Sequence, residues 1–159
     1  MKELSRIASA VHASTTLAID AKAKQMKADG LDVVGFGTGE PDFDTPENIK
    51  QAAFAAINEG KTKYTPAAGI IPLRKAVAES LKRELNLDYD FTQIVIASGA
   101  KHNLYAALRT LVNPGDEVIL PAPYWVSYIE LIRMAGGVPV VVDCSEAEEF
   151  KISDRKSVV

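Results

Sequence analysis

From Gln93 onward the chain alternates short apolar runs with amphipathic runs of helix length, and this alternation restricts the fold more than any other feature. Gln93–Ala97, Glu117–Leu120 and Val138–Val142 are rich in Val, Ile and Leu. Asn103–Val112 and Trp125–Ala135 lie between them as helices, the second ended by Gly136-Gly137. Strands that read as continuous apolar runs are buried on both faces, the habit of parallel sheets covered by crossover helices. The expected class is therefore α/β, a three-layer αβα arrangement around a mainly parallel sheet. Three such strands cannot bury both faces and close both edges, so the chain reads as the front of a larger protein.

Upstream, the pattern predicts three helices and two turn-rich loops. Ser14 and Thr15 can cap a helix running to about Asp29, with Leu17, Ala18, Ala21 and Met26 as its apolar stripe and Gly30 as its stop. Val33–Phe36 reads as a short strand, followed by the loop Gly37–Asp44. Thr45-Pro46 opens a second helix in cap-then-proline order, Ala52, Ala53, Ala56 and Ile57 give it a buried stripe, and Gly60 closes it. The loop Lys61–Gly69 leads to a third helix over Pro72–Leu85.

Composition removes several classes of function. A formal charge of -3 and a pI near 5.4 leave no electrostatic footprint for nucleic acid. No apolar run approaches the roughly 20 residues that span a bilayer, and Met1–Arg6 lacks the apolar core of a signal peptide. One cysteine, Cys144, excludes an internal disulfide. With only His12 and His102 beside it, no metal site is expected. The expected address is the cytoplasm, with no membrane partner.

The residues with chemical potential cluster at two turns. At Ser98-Gly99-Ala100-Lys101 a strand turns directly into a helix. Such a turn aims backbone N–H groups, the positive end of the helix dipole and a lysine at one point, which suits a phosphate. Pro121-Ala-Pro-Tyr-Trp125 puts a tryptophan just past the next strand, where it can cover a flat ring. Together they suggest a phosphorylated aromatic cofactor. Taken singly, the turn can equally be ligand-free and the tryptophan a half-buried core residue. Gly39 lies in a loop where a missing β-carbon lets an anion approach the backbone, or where turn geometry alone is served. Glu40, Asp42 and Asp44 read as a solvated acidic loop rather than a cation site.

Gly39-Glu-Pro-Asp-Phe43, Tyr64-Thr-Pro-Ala-Ala-Gly69, Ser98–Lys101, Pro114-Gly-Asp116 and Pro123-Tyr-Trp125 occur in the order and spacing of the class I, fold-type I aminotransferases. Over residues 4 to 153 the chain resembles the bacterial aspartate aminotransferase subgroup, enzymes that use pyridoxal 5'-phosphate. The resemblance implies that Gly99, Ala100 and Lys101 seat the cofactor phosphate and that Trp125 stacks on its ring and borders the substrate. It implies that Gly39 meets the substrate α-carboxylate and that Lys101 and Thr16 receive a distal carboxylate. Tyr64 matches a residue that reaches the cofactor of a neighbouring subunit, so a homodimer is implied. His12 stands where some prephenate-using relatives place lysine, which makes prephenate a less favoured substrate.

The implied reaction is amino-group transfer between an L-amino acid, aspartate or another dicarboxylic or aromatic one, and a 2-oxo acid. In the family the Schiff-base lysine lies well after the third strand, and no lysine here stands in a comparable context, so this chain alone is expected to be inactive. The resemblance divides it into an N-terminal arm and small-domain segment at 1–45 and the first part of the cofactor-binding large domain at 46–153. Residues 154–159 form no recognisable element and resemble a translated sequencing adapter, so they are expected to be an artificial tail, a natural frayed terminus being the alternative. Two other readings share the residues: a pyridoxal-phosphate-dependent lyase on the same fold, and a non-catalytic phosphate- or nucleotide-binding α/β module. The second would be expected to carry Gly-x-Gly-x-x-Gly or Gly-x-x-x-x-Gly-Lys-Ser/Thr after a strand, and neither is present.

Overall fold

The computed structural model describes residues 3–37 and 39–153. Thr38 and the expected tail at 154–159 lie outside the described residues. By internal contacts the chain forms two compact units, Met1–Thr38 with Ala100–Val159, and Gly39–Gly99.

The first unit opens with α1 (Arg6–Ala10), capped by Ser5, and α2 (Thr15–Ala28). Ser14 is the cap of α2, its hydroxyl accepting from the Leu17 N–H at 3.4 Å, as expected from the sequence. After the helix stops at Gly30 the chain runs along α2 and does not form the expected strand at Val33–Phe36. Gly37 passes so close to α2 that a β-carbon there would lie 2.8 Å from Cγ2 of Ile19. A strand needs a ladder partner, and this segment is packed beside a helix instead.

Further on come α5 (Ala100–Leu111), β1 (Glu117–Ala122), α6 (Ser127–Ala135) and β2 (Val138–Asp143). β1 and β2 pair in parallel, Glu117 opposite Val138 through to Ala122 opposite Asp143, with α6 as the crossover. The turn before β1 is held by Asp116, whose carboxylate accepts from the Asn113 N–H at 2.7 Å. Gly136, at φ +98°, ends α6 in the left-handed conformation that only glycine adopts without penalty. The helix expected from Trp125 starts two residues later, leaving Trp125 in the β1–α6 turn. The buried side chains of this unit are Leu120, Leu131, Ile132, Ala135, Val142 and Cys144, so its core is the contact of α6 with the two strands.

The second unit holds α3 (Glu47–Asn58), α4 (Ile71–Leu85) and a 3₁₀ turn at Phe91–Gln93. Pro46, not Thr45, occupies the cap position of α3, and no side chain caps it. The expected strand at Gln93–Ala97 is absent. Ile94 is extended, but its carbonyl accepts from Arg74 Nε of α4 at 2.8 Å, and the Ile96 N–H donates to the Ala68 carbonyl of a loop at 3.0 Å. Backbone groups committed to a helix side chain and a loop do not build a ladder. The α/β class expected from the sequence holds, with two strands in ladder among the described residues rather than three.

Candidate functional site

Gly99, at φ +85°, delivers the chain into α5, and a β-carbon there would meet nothing within 4 Å. Backbone angle rather than crowding therefore calls for glycine at this turn. Ala100 and Lys101 are the first two residues of α5, whose first-turn amides have no intrahelical acceptors and sit at the positive end of the helix dipole.

Lys101 and Trp125, remote in sequence, come together in the first unit. Lys101 Nζ stands 4.5 Å from the centroid of the Trp125 ring, a cation–π contact. The indole remains 46% exposed, so it offers surface to a further flat ring. Tyr128 forms a T-shaped pair with it, with ring centroids 5.5 Å apart and planes at 84°. A helix N-terminus, a lysine and an accessible indole are thus assembled, and they fit a phosphorylated aromatic ring.

Beside them is a cavity of about 270 Å³ whose lining includes His12, Ser14, Thr15, Lys101, Ser127 and Glu130. Helix α6 supplies Ser127, Glu130, Leu131 and Met134, the i, i+3, i+4, i+7 face of a helix. Tyr128 and Ile132 of the same helix, with Leu131 between the two cavities, line an apolar cavity of about 210 Å³ against α5 and β1. Thr16, expected beside Lys101, is not among the residues that line the cavity beside Lys101. Its neighbours Ser14 and Thr15 are, although their sequence context marks them only as helix caps.

Glu130 ties the N-terminal segment to α6. Its Oε2 accepts from the His12 backbone N–H at 3.4 Å, and its Oε1 lies 3.2 Å from His12 Nδ1 and 3.0 Å from Arg133 Nη1. Burial pushes the Glu130 carboxyl upward, but the His12 ring, the His12 N–H and the Arg133 charge outweigh it and hold the group below its ordinary value. A depressed carboxyl stabilises the fold above its unfolded pKa and loses that contribution as pH falls through the folded one. Urea midpoints of the parent and of Glu130→Gln are expected to differ at neutral pH and converge in acid. Curves that stay parallel across the carboxylate range would show that the ionisation of Glu130 carries no stability.

Tyr64 and Gly39 belong to the second unit. The Tyr64 side chain is fully exposed on its loop, and Gly39 has open space where a β-carbon would stand. Glu130 and Ser127, which line the cavity with Lys101, and Tyr128, which meets Trp125, were not singled out by the sequence. The spacing Ser127–Glu130–Met134 on a helix with an apolar opposite face was a usable signal; the pairing of Glu130 with a residue 118 positions earlier was not. Among the described residues no group of His, Cys, Asp and Glu is arranged to hold a metal ion, and no helix is long and apolar enough to cross a membrane.

A family model for aminotransferases of class I and II matches residues 31–154. The chain is 51% identical to the aspartate aminotransferase of Bacillus subtilis (strain 168) over 154 residues, 97% of this chain and 39% of that protein. It is 48% identical to the aspartate/prephenate aminotransferase of Cereibacter sphaeroides over 156 residues, 98% of this chain and 39% of that protein. Among solved structures, the aspartate aminotransferase of Thermus thermophilus with maleate superimposes with a TM-score of 0.93 at 44% identity, covering 99% of this chain and 41% of that one. The chain thus spans about two fifths of the length of these relatives.

Proposed function

The chain belongs to the class I and II aminotransferase family, and from that premise we propose that the full-length protein transfers an amino group between an L-amino acid and a 2-oxo acid, using pyridoxal 5'-phosphate. The observation that carries this is the meeting of Lys101 with Trp125 at the N-terminus of α5. Pyridoxal phosphate, when bound, supplies an electron sink to the α-carbon of the amino acid. The chain's own residues bind and orient. Gly99 opens the turn, the amides of Ala100 and Lys101 hold the phosphate, and Trp125 lies against the pyridine ring.

The substrate class we propose is dicarboxylic, with aspartate as amino donor. Lys101 lines the cavity beside α6 and suits the second carboxylate as a point charge; Thr16 shares that role by resemblance. His12 is engaged by Glu130, which supports aspartate over prephenate. Gly39 meets the α-carboxylate. Tyr64 is exposed, as a residue serving the cofactor of a second copy must be, and the proposed assembly is a homodimer in the cytoplasm. Residues 1–45 form the N-terminal arm and small-domain segment and 46–153 the first part of the large domain.

The test is titration of the full-length protein with pyridoxal phosphate and, separately, with ATP, followed by assay with aspartate and 2-oxoglutarate. A saturable absorbance change with the first ligand, and equimolar glutamate and oxaloacetate, are the expected results. Release of ammonia without glutamate would reassign the protein to elimination chemistry. Saturable binding of ATP with no response to pyridoxal phosphate would overturn the cofactor.

A further inference from the structure

We infer that Tyr128 is a positioning residue that sets the plane of the Trp125 indole; the inference rests on the stacking role proposed above for Trp125. Trp125 lies in the turn between β1 and α6 and is 46% exposed, so neither a strand nor a helix restrains its ring. An indole that stacks on a cofactor must nevertheless hold one plane, because a ring free to rotate about its side-chain torsions loses its register. Lys101 and Tyr128 touch it through a charge and a ring contact. Lys101 does so through the end of a long flexible stem, which follows the indole rather than fixing it.

Tyr128 is the stiffer partner. Its ring and the indole form a T-shaped pair at 5.5 Å and 84°, inside the preferred range for aromatic pairs. Its backbone N–H donates to the Trp125 carbonyl at 2.9 Å, so the two residues share one tight turn. The body of the tyrosine lines the apolar cavity with Leu104, Leu108, Val118 and Leu120, from α5 and β1. Behind it α6 is anchored by Leu131 and Ile132, both buried. Tyr128 is itself 37% exposed, so it links the indole to the anchored helix through its tight turn and the part of its ring that faces α5 and β1. The contact is between the two rings, so phenylalanine preserves it and leucine does not.

The experiment compares full-length Tyr128→Leu, Tyr128→Phe and Trp125→Leu by near-ultraviolet circular dichroism without cofactor, by visible circular dichroism of bound pyridoxal phosphate, and by kcat/KM. Tyr128→Leu is expected to flatten the indole bands, reduce the cofactor band by half or more and lower kcat/KM about three- to tenfold; Tyr128→Phe is expected to restore all three. If leucine prevents folding, Tyr128→Met keeps a long apolar side chain at the cavity wall without a ring and is expected to produce the same three losses. The inference is overturned if Trp125→Leu alters the cofactor band while Tyr128→Leu, or Tyr128→Met in its place, leaves it unchanged, or if phenylalanine is as damaging as leucine. A Trp125→Leu protein with an unchanged cofactor band would instead remove the stacking role itself, and this inference with it.

Discussion

Replacing Trp125 by leucine in the full-length protein is expected to lower kcat/KM for aspartate by about fivefold to a hundredfold and to shift the absorbance of the bound cofactor. Stacking of a heterocycle on an aromatic side chain contributes about 1–3 kcal/mol, and each 1.4 kcal/mol is roughly a factor of ten in rate. Leucine keeps apolar surface but offers no flat face, so most of that term is lost. The indole also gives the Lys101 ammonium its resting contact at 4.5 Å, a cation–π interaction of about 0.5–1 kcal/mol at an exposed site. Leucine removes that as well, and the lysine then samples positions away from the cavity it lines. Trp125→Phe, which retains a flat ring, should lose less. Steady-state kinetics with an absorbance spectrum checks both variants; unchanged kinetics together with an unchanged spectrum would remove Trp125 from the site.

The other large effect is on stability. Ile132→Ala is expected to cost the full-length protein about 2–5 kcal/mol, and Ile132→Val about 0.5–1.5 kcal/mol. Ile132 is 3% exposed and belongs to the small set of buried side chains where α6 meets the two strands. It also borders Gly137, where an added β-carbon would lie 3.1 Å from the Ile132 Cγ2. The surroundings are braced by the β1–β2 ladder and by Gly136 and Gly137, so they have little freedom to collapse into the space left by the deleted carbons. Urea unfolding monitored by circular dichroism reads the change. Equal midpoints for parent and alanine variant would mean that this contact is not the core of the unit.

Which parts of this molecule could be read before folding follows from the range of the forces involved. Helix boundaries were legible where one local device sets them: the Ser14 hydroxyl on the Leu17 N–H, and glycines at 30, 60 and 136 in left-handed conformations. The crossover from β1 through α6 to β2 was legible because continuous Val and Ile flanking an amphipathic helix have few other ways to be buried. The turn at Gly99 and the lysine in the first turn of α5 were legible for the same reason, being consequences of neighbours in sequence.

Tertiary structure decided the rest. Val33–Phe36 and Gln93–Ala97 carry strand composition, yet one runs beside α2 and the other gives backbone groups to Arg74 and Ala68, because a strand exists only where a partner ladder is available. The lysine of one helix over the tryptophan of a turn, the ring of Tyr128 against that indole, and Glu130 holding His12 across 118 residues are equally invisible to local pattern. Periodicity states which face of a helix is apolar, but only packing chooses what that face meets.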